Sequence, residues 1–106
     1  MTAIAATVNW PEGEKEPTVD PNPIPVPVND RDAVITWSCG VNVSSLEISG
    51  LSTPEFSAAG SGGFVTSFSV TDSNSDTRVY SYTVGATQVT TGQVARHDPK
   101  IKNGST

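Results

Sequence analysis

The chain has 106 residues, a formal net charge of −5 and a single cysteine. That length makes one domain, able to bury roughly two-thirds of its unfolded surface and so to form a core without disulfides or metals. The acidic balance argues against a nucleic-acid or anionic-membrane surface, which needs a clustered basic footprint. No run of about 18 apolar residues offers a membrane span. Val occurs 13 times and Leu twice, Ser and Thr fill 26 positions, and eight Pro and nine Gly punctuate the chain. β-Branched residues favour strands over helices, so a strand-rich fold with no regular helix is expected. The opening "MTAIAATVNWPEG" has no basic stretch, long apolar stretch or cleavage pattern. It is therefore not expected to be a secretory signal. Together with the lone Cys, this suggests synthesis in a reducing compartment or incorporation into a particle.

In chain order, "TAIAATVNW" alternates, with Ile4, Ala6, Val8 and Trp10 on one side, and predicts a half-buried strand. Segment 17–28 carries Pro at 17, 21, 23, 25 and 27, so it lacks too many donors for a central strand. It reads as an extended edge segment because Ile24, Val26 and Val28 share a side; a linker is the alternative. "DAVITWSC" sets Ala33, Ile35, Trp37 and Cys39 on one face, and "SSLEISG" turns Leu46 and Ile48 inward. "LSTPEFSAAGSGG" predicts a loop by its Pro and Gly. "FVTSFSVTD" then groups Phe64, Thr66, Phe68 and Val70, and "DTRVYSYTV" groups Arg78, Tyr80, Tyr82 and Val84. A hairpin turning near Thr91-Gly92 follows, and residues 102–106 form a short polar tail. Seven or eight short strands at this spacing predict an antiparallel all-β sandwich over residues 1–106. Its expected core is Ile35, Trp37, Cys39, Leu46, Ile48, Phe64, Phe68, Tyr80, Tyr82 and Val84.

A proline-rich edge segment, then "VITW", then a short L-x-I strand resembles bacterial immunoglobulin-like and fibronectin type III-like modules. "DTRVYSY" is similar to the immunoglobulin tyrosine-corner pattern Asp-x-x-x-Tyr-x-Cys, matched by Asp76 and Tyr80, with Tyr82 where the second Cys would be. The resemblance covers about residues 17–101. It implies that Trp37, Cys39 and Tyr82 pack together where the family has a disulfide, and that a tyrosine hydroxyl bonds the backbone. The fold hosts many unrelated roles, so it implies little about function.

"TDSNSDT" holds the strongest candidate chemistry. Asp72, Asn74 and Asp76 alternate as calcium-loop ligands do, but Thr77 and Thr83 stand where such a loop has its Gly and its bidentate Glu. An Asn/Asp/Ser turn without strong calcium binding is expected. His97 has no second ligand or nucleophile nearby and is expected at the surface. Cys39 faces the core and is expected to be an inert buried thiol. Glu47 and Glu55 are expected to be separate solvated acids rather than a glycosidase pair. "GSGG" at 60–63 lacks the Lys and helix of a phosphate loop. Residues 1–32 carry six acids and two bases, and residues 96–106 three bases and one acid; solvated ends gain little from such a contrast.

No catalytic constellation, metal or cofactor is therefore expected. The sequence reads as a non-enzymatic structural or interaction module, partnered by another protein or by itself. An assembly or accessory role on a phage particle or bacterial surface is what the resemblance implies. Two alternatives remain: a glycan-binding sandwich using an exposed Trp10 or a tyrosine as its platform, and a calcium-stabilised adhesion-type module using the 72–76 turn.

Overall fold

The computed structural model describes residues 2–105. Ten strands run β1 Ala3–Asn9, β2 Thr18–Asp20, β3 Ile24–Pro27, β4 Ala33–Cys39, β5 Val43–Ser49, β6 Ser67–Asp72, β7 Val79–Ser81, β8 Thr83–Gln88, β9 Val94–His97 and β10 Lys100–Ser105. The all-β fold expected from composition is what the structure has, with no helix among the described residues. Among these residues no helix is long and apolar enough to cross a membrane.

The count exceeds seven or eight for a local reason. Two stretches that alternate continuously are each interrupted once, at Tyr82 between β7 and β8, and at Asp98-Pro99 between β9 and β10. The breaks face each other, the Tyr82 N–H donating to the Pro99 carbonyl at 3.1 Å. Pro99 has no N–H to return, so the ladder lapses there. The proline-rich segment adds β2 and β3, edge strands of separate sheets rather than a linker.

The strands form three sheets, ordered β2-β1-β4-β6, β3-β10-β7 and β5-β8-β9. Most neighbours are antiparallel. Two pairs are parallel: β1 with β4, Ile4 opposite Ile35, and β3 with β10, Ile24 opposite Ile101. All three sheets feed one core. It takes Ala6, Val8, Ile35, Trp37 and Val70 from the first, Ile24, Val26 and Ile101 from the second, and Leu46, Ile48, Val84 and Ala86 from the third. Period-two alternation explains the selection, since residues two apart share a strand face. The outward face of β4 is polar: the Thr36 and Ser69 hydroxyls bond at 2.7 Å across β4 and β6.

Trp37 sits fully buried at the centre, 5.4 Å from the Tyr82 ring and 6.2 Å from Phe68. Its indole N–H donates to the Tyr82 hydroxyl at 2.9 Å. Burial raises the Tyr82 hydroxyl well above the ordinary phenol range, only partly offset by Trp37. Tyr82→Phe keeps the ring but orphans a buried indole N–H, which costs about 1–3 kcal/mol. Urea unfolding of the two proteins will show the midpoint lowered and the slope unchanged.

Four expectations are corrected. Phe64 is 41% exposed, because it precedes β6 and the positive φ angles of Gly62 and Gly63 reset the direction of the chain before it. Val28 is exposed just beyond the end of β3. Residues 102–105 are not a polar tail but part of β10, with Asn103 fully buried; Thr106 lies outside the described residues. Neither tyrosine hydroxyl bonds the backbone: that of Tyr80 donates to the Asp76 carboxylate and that of Tyr82 meets Trp37.

Candidate functional site

The turn after β6 separates its three candidate ligands. Asn74 takes a left-handed conformation, φ 51°, which Asn tolerates better than most residues. Its side chain points away from the two acids. The amide N–H groups donate to the carbonyls of Pro27 (2.7 Å) and Asp30 (2.9 Å), and the amide oxygen accepts from the Gly104 N–H (2.9 Å). Asn74 thus fastens the turn to β3 and β10.

Asp72 and Asp76 instead converge with two residues that the sequence motif does not contain. The Phe56–Asp72 bridge brings the 50–66 loop against β6 and delivers Glu55, which is buried rather than solvated. From β10, Asn103 projects into the same place. Its Nδ2 lies 2.8 Å from Glu55 Oε2, 3.2 Å from Asp72 Oδ1 and 3.1 Å from Asp76 Oδ1. Glu55 also accepts from the Ser73 and Ser75 hydroxyls and the Ser75 N–H. Asp72 Oδ1 accepts from the Asn74 N–H, and Asp76 Oδ1 from the Arg78 N–H.

The electrostatics divide the three acids. Burial pushes Asp72 up to about 6, with the neighbouring Glu55 and Asp76 charges adding to it and hydrogen bonds from Asn74 and Asn103 opposing. Burial also raises Glu55, but bonds from Ser75 and Ser73 outweigh it and hold the carboxyl below its ordinary value. In Asp76, burial is likewise outweighed by the Tyr80, Arg78 and Asn103 bonds, leaving it lowered. Tyr80 rises to about 12, first through its bond to Asp76 and then through burial.

The remaining candidates lie apart. His97 Nδ1 is 3.2 Å from Glu16, and Glu47 faces Arg96 at 3.4 Å. Gly60 serves the backbone, since a Cβ there would stand 2.3 Å from the Ile48 carbonyl oxygen. Trp10, far from being an exposed platform, is 2% exposed, and its indole N–H donates to the Glu14 carbonyl at 2.8 Å. Cys39 is half-buried rather than fully buried, at the end of β4 against the core, and burial raises its pKa. A thiol short of thiolate reacts slowly. Native protein will label with a thiol reagent more slowly than the same chain in denaturant.

A cleft of about 440 Å³ is lined by Gly50, Ser81, Tyr82, Thr83, Asp98 and Lys100. Its hydroxyls are taken, Thr83 donating to Asp98 at 2.9 Å and Ser81 accepting from Lys100 at 2.9 Å.

The sheet edges differ in what they leave open. Pro25 and Pro27 strip donors from β3, Val65 bridges to β5 at Leu46, and the 56–57 segment covers β6. β2 and β7 are three residues each. Among the described residues, β9 pairs with β8 alone. Gln93 bonds Gln88, so alternation directs the backbone groups of Val94 and Arg96 outward. Val94 and Val89 are both at least half exposed here, and Val41 lies on the adjoining loop, which Val89 N–H ties down through the Asn42 carbonyl.

No protein-family model and no curated protein matches this chain.

Proposed function

We propose that the chain is a non-enzymatic interaction module of immunoglobulin-like kind, which takes a strand from another protein along the free edge of β9. The carrying observation is that β3 is stripped of donors, β5 and β6 are covered and β2 and β7 have three residues each, whereas the four residues of β9 keep outward backbone groups beside exposed Val94 and Val89. Natural sheets blunt edges that are not meant to pair. A partner strand gains main-chain hydrogen bonds there, and Val94 and Val89 offer it apolar contact. The resemblance of the proline-rich edge segment, "VITW" and the short L-x-I strand to bacterial modules supports an assembly or accessory role on a particle or cell surface. A glycan platform has less support, because Trp10 is buried.

A photoreactive residue placed at position 94, introduced in cells of origin, tests the reading. It is expected to yield one discrete protein adduct on irradiation, while the same group at exposed position 14 yields none. Equal or diffuse labelling from both positions would overturn it.

A further inference from the structure

We propose that the chain binds a calcium ion between Glu55, Asp72, Asp76 and Asn103. This does not depend on the β9 edge. Three carboxylates face one amide nitrogen at 2.8 to 3.2 Å, yet an amide nitrogen carries only two hydrogens. The three contacts therefore cannot each have a proton of their own: one at least is shared or lacks one. Two further oxygens are stranded: Asp72 Oδ2 and Asn103 Oδ1 are buried and have no hydrogen-bond partner among the described residues. Both residues are fully buried, and each stranded atom shares its carboxyl or amide group with an atom already in the cluster. Buried acids normally find a cation. The ion pairs among the described residues, Arg96 with Glu47 and His97 with Glu16, lie elsewhere. Lys102 is close in sequence but donates to the carbonyls of Thr77 and Asn103 instead.

A cation resolves these conflicts together. The oxygen and nitrogen ends of an amide have nearly the same shape. Turning the Asn103 amide over therefore brings its stranded oxygen toward the three carboxylates. Asp72 can then offer both of its oxygens. The donors are all oxygen, the set preferred by hard cations. As they stand, no three acids among the described residues are at metal-holding spacing. Binding requires the side chains to shift around the ion until each oxygen stands at the 2.3–2.6 Å of calcium–oxygen bonds. Magnesium demands about 2.0–2.1 Å and a near-ideal octahedron, which three separate chain segments are less suited to supply. The Gly and Glu missing from the 72–83 stretch do not count against the site. They belong to a loop whose ligands are consecutive, whereas here they come from the 50–66 loop, the β6–β7 turn and β10.

The full chain is melted in excess chelator, then in about 10 mM calcium, tenfold above the weak end of extracellular calcium sites. Calcium is expected to raise the midpoint by about 5 °C or more, and magnesium by less. Terbium is expected to give tyrosine-sensitised emission that calcium displaces, since the Tyr80 hydroxyl bonds the proposed ligand Asp76. Asp72→Asn should melt in chelator at least as high as the parent, showing that it folds, and should lose both the calcium shift and the emission. Glu12→Gln, at an exposed acid of the N-terminal loop, should keep both. Coincident melts of the parent with and without calcium would overturn the proposal. So would a full calcium shift retained in Asp72→Asn, or an equal shift with magnesium.

Discussion

Replacing Trp37 with alanine is expected to lower stability by about 3–5 kcal/mol, the usual cost of truncating a buried Trp. The side chain is fully buried, stacks near Phe68, tilts against Tyr82 and supplies that hydroxyl with its donor. Each kcal/mol moves the midpoint of a domain this size by about 4–8 °C. The thermal transition should therefore fall by more than ten degrees. Trp37→Phe restores ring volume but not the N–H, and should land between the two. An alanine variant melting within a few degrees of the parent would show that the core is centred elsewhere.

The second large effect is expected at Asn74. Alanine there removes two donors from the Pro27 and Asp30 carbonyls and the acceptor of the Gly104 N–H, while keeping a left-handed backbone that alanine disfavours. Each of these three part-buried hydrogen bonds contributes about 1 kcal/mol, and the conformation adds about 1 kcal/mol. A loss of about 3–5 kcal/mol follows. Asn74→Gly relieves only the backbone part and should recover about 1 kcal/mol. If both variants melt with the parent, the side chain is not the fastening described above. Denaturant unfolding followed by far-ultraviolet dichroism measures all three.

The strand content and the heart of the core were legible because alternation is a local signal. Ile35 and Trp37 on β4, Leu46 and Ile48 on β5, and Val84 on β8 are buried as their parity requires. Phe64 was not, because parity was carried backwards from β6 across Val65 and Thr66, where no strand runs. Trp10 does continue the inward parity of β1, and only its use as an exposed platform was mistaken.

The acid cluster was half legible. Asp72 and Asp76 sit in one short motif, so spacing brings them to notice. Glu55 stands in a loop between Pro54 and Phe56, where no periodicity assigns it a face. Asn103 lies in a stretch whose polarity reads as a tail. Both reach the site through long-range pairing, Glu55 beside the Phe56–Asp72 bridge and Asn103 on β10 through pairing with β7 and β3. A buried polar residue on a strand leaves no periodic trace; an Asn or Glu flanked by apolar neighbours, as in "PEF", is the faint signal available.

The parallel partnership of β3 with β10 fixes an order of assembly. Ile24 meets Ile101 across most of the chain's length, and the prolines of β3 deny it a stable ladder of its own. Closing so long a loop costs entropy before any contact repays it. The early nucleus must therefore come from nearer partners, β4 with β6 and β5 with β8. Until β10 arrives, Ile24 and Val26 have no sheet to join. During that interval the chain displays two apolar residues that the finished domain conceals completely. Folding on the millisecond-to-second scale common to such non-local β topologies sets how long a nascent chain stays sticky.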